Sequence, residues 1–176
     1  QNCQGKPATV TKLEKTKKTT KSPRLYDLTT LQREANRVFG YTAQDTLNTL
    51  QELYEEKLVT YPRTDSQYIT EDMAGTVQGL LTDLPKIVPF LSEIAIGDQV
   101  SRLVDNAKVT DHHAILPTQE ATKTDLSSLS EKQKNIFNLV GQRLAQAVSP
   151  DCIYEETAVE VLCEGAVFKA KGKVVL

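Results

Sequence analysis

Residues 28 to 66 read LTTLQREANRVFGYTAQDTLNTLQELYEEKLVTYPRTDS. Leu28, Leu31, Ala35, Val38 and Phe39 recur at helical spacing and stop at Gly40, a residue suited to the left-handed turn that ends a helix. With Thr29 and Gln32 as a capping box, this predicts a helix over about 29–39. Only Tyr41 intervenes before Thr42 and Asp45 form a second box. Leu47, Leu50, Leu53, Tyr54 and Leu58 then mark the buried side of a helix over about 43–57. Two helices joined by so short a turn must be neighbours, a helix-turn-helix-like corner. LVTY follows as a short β-branched strand that breaks into Pro62, Arg63, Thr64, Asp65 and Ser66.

Outward from this block the pattern changes twice. Residues 8–23, ATVTKLEKTKKTTKSP, alternate Thr and Val with Lys, as an exposed strand does. Thr70 opens a further helix through Met73, Val77, Leu80 and Leu81 that Pro85 is expected to limit. Residues 85–129 read mostly as loop with a short helix or two. Ser130 and Gln133 cap an amphipathic helix that Ser149 and Pro150 stop, and from Tyr154 onward the period becomes two, a β-hairpin about Glu164 and Gly165. The expected fold class is therefore α+β, a mainly helical domain over 25–150 inserted between β-strand segments at 1–24 and 151–176.

Composition narrows the function classes. The 176 residues are 39% hydrophobic and 25% charged, enough for one globular domain or two small ones. No apolar run approaches the roughly 18–20 residues that span a bilayer, and the first residues lack a signal-peptide pattern, so no membrane partner is expected. Cys3, Cys152 and Cys163 are odd in number and without C-x-x-C spacing, which argues against a disulfide framework or structural zinc and for a reducing cytoplasm. The missing initiator methionine and the strand-like end KGKVVL lead to the expectation of a piece of a longer protein. Net charge is −2, yet residues 6–24 carry seven basic side chains against Glu14 alone, leaving about −8 on the remainder. That run reads as a solvated linker or a lysine-rich edge strand.

Tyr61 and Arg63 are the first candidates for chemistry. Tyrosine, with a free pKa of about 10, is a weak nucleophile and needs a partner that stabilises developing charge. Arg63, two residues on in an extended segment, leaves on the same face, and its planar fork suits phosphate. The pair fits covalent attack on a phosphodiester; a plainer reading has Tyr61 packing at a sheet edge and Arg63 pairing with Asp65. In residues 111–118, DHHAILPT, His112 and His113 are adjacent and point apart, so a shared metal is not expected. One histidine beside a scissile phosphate can relay a proton or neutralise an oxygen; the bland role is capping a backbone carbonyl.

Together these segments resemble the type IA DNA topoisomerases, and Tyr-Pro-Arg with His-His is more similar to the topoisomerase III branch. The likeness extends over most of the chain, and the long block from 28 to 66 with DHHAILPT is far more specific than either short motif. It implies that Tyr61 is the nucleophile that takes a 5′-phosphate of single-stranded DNA, that Arg63 assists at the scissile phosphate, and that His112, not His113, contacts DNA beside it. Gln51, Glu55, Thr60, Thr64 and Asp65 fall on positions that support the active site. The resemblance further implies strand passage without ATP, with the strand segments as part of an arch. It also implies a Toprim domain elsewhere in a parent chain that holds Mg²⁺, with no metal expected here. The chain alone is then expected to be inactive. A rival reading is a non-catalytic DNA-binding or protein-interaction module docked through the two-helix corner. A tyrosine recombinase does not fit, because Tyr61 precedes both histidines.

Overall fold

Four helices separate the first strand from the last two, an arrangement that follows from capping chemistry at one level and cross-strand pairing at another. The computed structural model describes residues 2–176. Contacts divide them into two units: Ser22–Pro150, and a second formed by the residues up to Lys21 and from Asp151 onward.

In the first unit α1 (Leu28–Phe39) is capped by Asp27, not by Thr29 as the sequence suggested. The Thr30 N–H donates to Asp27 Oδ1 at 2.6 Å and the Thr30 hydroxyl accepts from the Asp27 N–H at 3.2 Å. A carboxylate at this position meets the partial positive charge of the helix start, which a threonine hydroxyl cannot match. Gln32 is released to donate to Ala43 O at 3.0 Å. Gly40 ends α1 at φ 72°, where a side chain would be strained. α2 (Ala43–Glu55) has the Thr42–Asp45 box and buries Thr46, Thr49, Leu50 and Leu53.

α3 (Ala74–Ile87) runs through Pro85 instead of stopping there. Pro85 falls near the helix end, and Leu84 and Ile87 on either side of it are buried, so apolar packing outweighs one lost backbone bond. The one-turn 3₁₀ segment Glu71–Met73 precedes α3, and Thr70 makes no side-chain cap to it. Between α3 and α4 the chain makes 3₁₀ turns rather than longer helices. α4 (Glu131–Ala147) starts from the Ser130–Gln133 box and packs on α2, α1 and α3. Val88 comes so near that a Cβ on Gly141 would clash with its Cγ2.

The second unit is one antiparallel sheet in the order β1 (Thr9–Thr20), β2 (Cys152–Cys163), β3 (Ala166–Val175). Glu164 at φ 47° and Gly165 at φ 79° form the two-residue hairpin turn. The lysines of the basic run pair with glutamates of the central strand: Lys18 with Glu156 at 2.6 Å and Lys15 with Glu155 at 2.9 Å. From the other side Lys169 meets Glu160 at 2.8 Å. Lys169 faces Glu160 directly in the register, whereas Lys18 and Lys15 reach Glu156 and Glu155 diagonally, past their register partners Tyr154 and Thr157; the run is an edge strand of the sheet rather than a linker. Cys163 is buried as a small hydrophobe, and all three cysteines are free.

Candidate active site

The path to Tyr61 begins where α2 ends. Lys57 adopts φ 61°, its N–H donates to Tyr54 O at 2.9 Å, and the Leu58 N–H donates to Leu53 O at 2.8 Å. This is a Schellman closure with a lysine where glycine is usual, and buried Leu58 and Leu53 make its apolar contact. The turn sends residues 58–66 back along the body.

That segment is not the strand its β-branched residues suggested. It forms a single bridge, Val59 with Pro117. The Thr60 N–H donates to Leu116 O at 2.9 Å and the Thr118 N–H to Leu58 O at 3.0 Å. Pro117 has no N–H to extend the ladder, and Pro62 removes the next donor on the other side. The Thr60 hydroxyl takes the place of a ladder rung. It accepts from the Leu116 N–H at 2.9 Å and donates to Ala114 O at 3.1 Å.

With only this one bridge, the segment still alternates. Pro62, Thr64 and Ser66 are buried, Arg63 and Asp65 are exposed, and Tyr61 is half-buried. Tyr61, Arg63 and Asp65 therefore share the outer face. The Tyr61 ring lies 4.2 Å from the His112 ring, centroid to centroid, at a 36° tilt. On its other contact it meets Tyr54 of α2 edge-on, at 5.5 Å and 83°. Thr64 locks the two motifs together. Its hydroxyl donates to His112 O at 2.8 Å and accepts from the Ser66 N–H at 3.1 Å, while its carbonyl accepts from the Leu28 N–H at 3.1 Å.

A cleft of about 400 Å³ opens beside these rings, lined by Arg63, Asp65 and His112 together with Asp27, Thr110 and Asp111. Arg63 makes no ion pair among the described residues, with Asp65 or any other acid, so its donors stay free for an anion. Asp27 spends Oδ1 on the cap of α1 and Oδ2 on Gln67 Nε2 at 2.9 Å. The two histidines differ: His112 is exposed beside Tyr61, while His113 bonds through Nδ1 to Ala114 O at 2.8 Å. Since a carbonyl only accepts, that nitrogen carries the proton. His112 meets Tyr61 ring to ring, with no hydrogen bond between the two side chains among the described residues, and an uncommitted guanidinium on the same cleft can hold an anionic centre.

Gln51 and Glu55 lie one turn apart on α2, Gln51 Nε2 donating to Glu55 Oε1 at 3.1 Å. Neither has a hydrogen bond to Tyr61 among the described residues; α2 reaches that ring through Tyr54, which the sequence reading placed on the buried side and which is 38% exposed. Only the turn at Lys57 brings Tyr54 and Tyr61 together, and no local spacing announces it. Among the described residues no group of three or more His, Cys, Asp or Glu is arranged to hold a metal ion. None of the helices described is long and apolar enough to cross a membrane.

Known proteins give a consistent picture. The chain is 43% identical to the DNA topoisomerase 3 of Bacillus licheniformis over 98% of its length, and 44% identical to that of Bacillus subtilis over 99%. It spans about a quarter of those relatives, 24% of each. Among solved structures, full-length topoisomerase I from Thermotoga maritima superposes with a TM-score of 0.64, covering 96% of this chain and 27% of that one. At 24% identity that likeness speaks for the fold. A family model described as DNA topoisomerase matches residues 1–176, and with the whole length matched the chain belongs to the DNA topoisomerase family.

Proposed function

We propose that the chain is the tyrosine-bearing part of a type IA, topoisomerase III-like enzyme, and that Tyr61 cleaves single-stranded DNA reversibly. The observation that carries this is the stack of Tyr61 on His112, held by the Thr64 hydroxyl, with Arg63 uncommitted beside it. In the attack the Tyr61 Oη forms a bond to phosphorus as the P–O3′ bond breaks. The phenolic proton leaves and the 3′ oxygen takes one up. In this reading His112 acts at the DNA beside the scissile phosphate and Arg63 stabilises the charge on the phosphate oxygens. The 5′-phosphotyrosine ester keeps the energy of the broken bond, so the 3′-hydroxyl can reverse the step and strand passage needs no ATP.

Thr60, Thr64 and Asp65 act in this reading by holding and flanking the reactive segment, and Gln51 and Glu55 by supporting the α2 face next to it. The sheet of β1, β2 and β3 is the arch part, and Ser22–Pro150 the catalytic part. Mg²⁺ would be held by a Toprim domain outside this chain, which closes on the Tyr61 face to complete the site and make a gate. The free cysteines fit action in the cytoplasm.

The test is a denaturing gel of labelled single-stranded DNA mixed with the full-length protein that carries this chain and Mg²⁺. The wild type is expected to leave a covalent adduct on the 5′ side of the break, and Tyr61→Phe none. A wild type that binds DNA yet forms no adduct would leave Tyr61 without its role and favour a binding module. The chain by itself is expected to form no adduct.

A further inference from the structure

A second recess, of about 310 Å³, adjoins the cleft of Arg63 and His112 and shares Asp65 and Thr110 with it. Tyr68 lines it together with Arg24 and Lys108. The Arg24 guanidinium carbon lies 4.9 Å from the Tyr68 ring centroid and the Lys108 ammonium 4.7 Å from it. Two cations collected on one ring repel each other, so something must favour their approach. The quadrupole of the ring supplies part of that attraction. The residues around Tyr68 fix it in place. Its N–H donates to Ser66 Oγ at 3.1 Å and its carbonyl accepts from the Ala114 N–H at 2.9 Å. Ser66 Oγ in turn donates to Lys108 O at 2.8 Å, which ties the backbone of Lys108 to the reactive segment.

Neither cation has spent its donors. Lys108 pairs with Asp105 at 2.8 Å and reaches the Tyr68 hydroxyl at 3.4 Å, which occupies at most two of the three ammonium protons. The Asp105 carboxylate first, and the Tyr68 hydroxyl next, raise the Lys108 pKa, so it stays charged. The Arg24 side chain donates no hydrogen bond among the described residues and keeps its whole fork. Two exposed cations with free donors, spaced by one aromatic ring beside the cleft of Arg63, match an anionic phosphodiester rather than an apolar ligand.

We propose that Arg24 and Lys108, held against the Tyr68 ring, bind a backbone phosphate of the same DNA strand that Tyr61 attacks. The site is a positioning one and rests on the reading that this chain handles single-stranded DNA. It sets where along the cleft the strand lies, because a strand gripped here must pass Asp65 and Thr110 to present its next phosphates to Arg63. Tyr68 serves as the spacer between the cations.

The experiment uses the full-length protein that carries this chain and fluorescence anisotropy with a labelled oligo(dT), read across salt concentrations. Arg24→Gln with Lys108→Gln is expected to weaken binding about tenfold at low salt, the worth of one charge-assisted phosphate contact. It is also expected to flatten the slope of log K against log salt by about 0.7, the release expected for one single-strand phosphate. Lys86→Gln, a cation remote from both recesses, is expected to bind as the wild type does. The charge-keeping pair Arg24→Lys with Lys108→Arg is expected to retain binding, which separates charge from packing. The proposal is overturned if the glutamine pair keeps wild-type affinity and slope, if Lys86→Gln loses as much, or if the charge-keeping pair loses as much as the glutamine pair. Adduct formation by the wild type in the same preparation separates the two ideas. An adduct with unaltered binding in the glutamine pair sinks the subsite alone, whereas lost binding in that pair without any wild-type adduct sinks the Tyr61 chemistry and leaves the subsite standing.

Discussion

The helical unit and the sheet solve stability in opposite ways. All of the largest fully buried side chains, among them Tyr26, Phe137, Leu50 and Leu116, belong to Ser22–Pro150. In the sheet Cys163 is the buried apolar residue among those described, while Leu13 and Phe168 stand 62% and 52% exposed. The sheet therefore depends on backbone ladders and on its Lys–Glu pairs, and the helical unit on a core. The difference shows where irregular backbone can be afforded. Residues 58–66 carry almost no regular hydrogen bonding, yet they hold their shape because Leu58 and Val59 are anchored in the core and Thr60 and Thr64 satisfy the backbone opposite. A reactive segment of this kind needs a packed body behind it, which the sheet does not offer.

The comparison can be broken in order of expected effect. Largest is Tyr61→Phe, which removes one hydroxyl and is expected to leave the unfolding midpoint unchanged and to abolish the covalent adduct on a denaturing gel. Leu50→Ala, in the core, is expected to cost about 2–5 kcal/mol in denaturant unfolding, while Leu13→Ala on β1 costs well under that; equal losses would mean that the sheet too has a buried face. Thr64→Val keeps the shape but strips His112 O and the Ser66 N–H of a partner, with an expected loss of about 1–3 kcal/mol and a slower cleavage step. Lys57→Gly relieves a non-glycine residue at φ 61° and should gain about 1 kcal/mol in the same measurement.

The smallest effect is in the sheet and depends on pH. Lys18 depresses the pKa of Glu156 below its ordinary 4.5, and Lys169 does the same for Glu160. A depressed folded value means that the pairs contribute fully above pH 4.5, the value in the unfolded chain, and that this contribution fades as pH falls through the lower folded value. The difference in unfolding midpoint between wild type and Lys18→Gln should therefore be seen at neutral pH, shrink on acidification and shrink in high salt. A difference that persists in acid would assign Lys18 a packing role instead.

What the sequence determined by itself was whatever depends on neighbours three or four positions away. The boxes at Thr42 and Ser130, the stop at Gly40, the hairpin at Glu164 and Gly165, and the outer-face alternation of Tyr61, Arg63 and Asp65 all follow from such local geometry. Even there the competition between Asp27 and Thr29 for the first cap went to the carboxylate, which a pattern of hydroxyls and amides did not reveal. Tertiary structure decided the rest. LVTY keeps to a single bridge because its partner contains Pro117, α3 continues past Pro85 because Leu84 and Ile87 are buried, and Gln51 with Glu55 bond each other while Tyr54 takes the place beside Tyr61. Thr64 and His112 meet across 48 residues, a closure whose entropy the packed core must offset before the Tyr61 and His112 rings can stack. The residue types were legible in the chain; the company they keep was set by which distant segments the core could hold together.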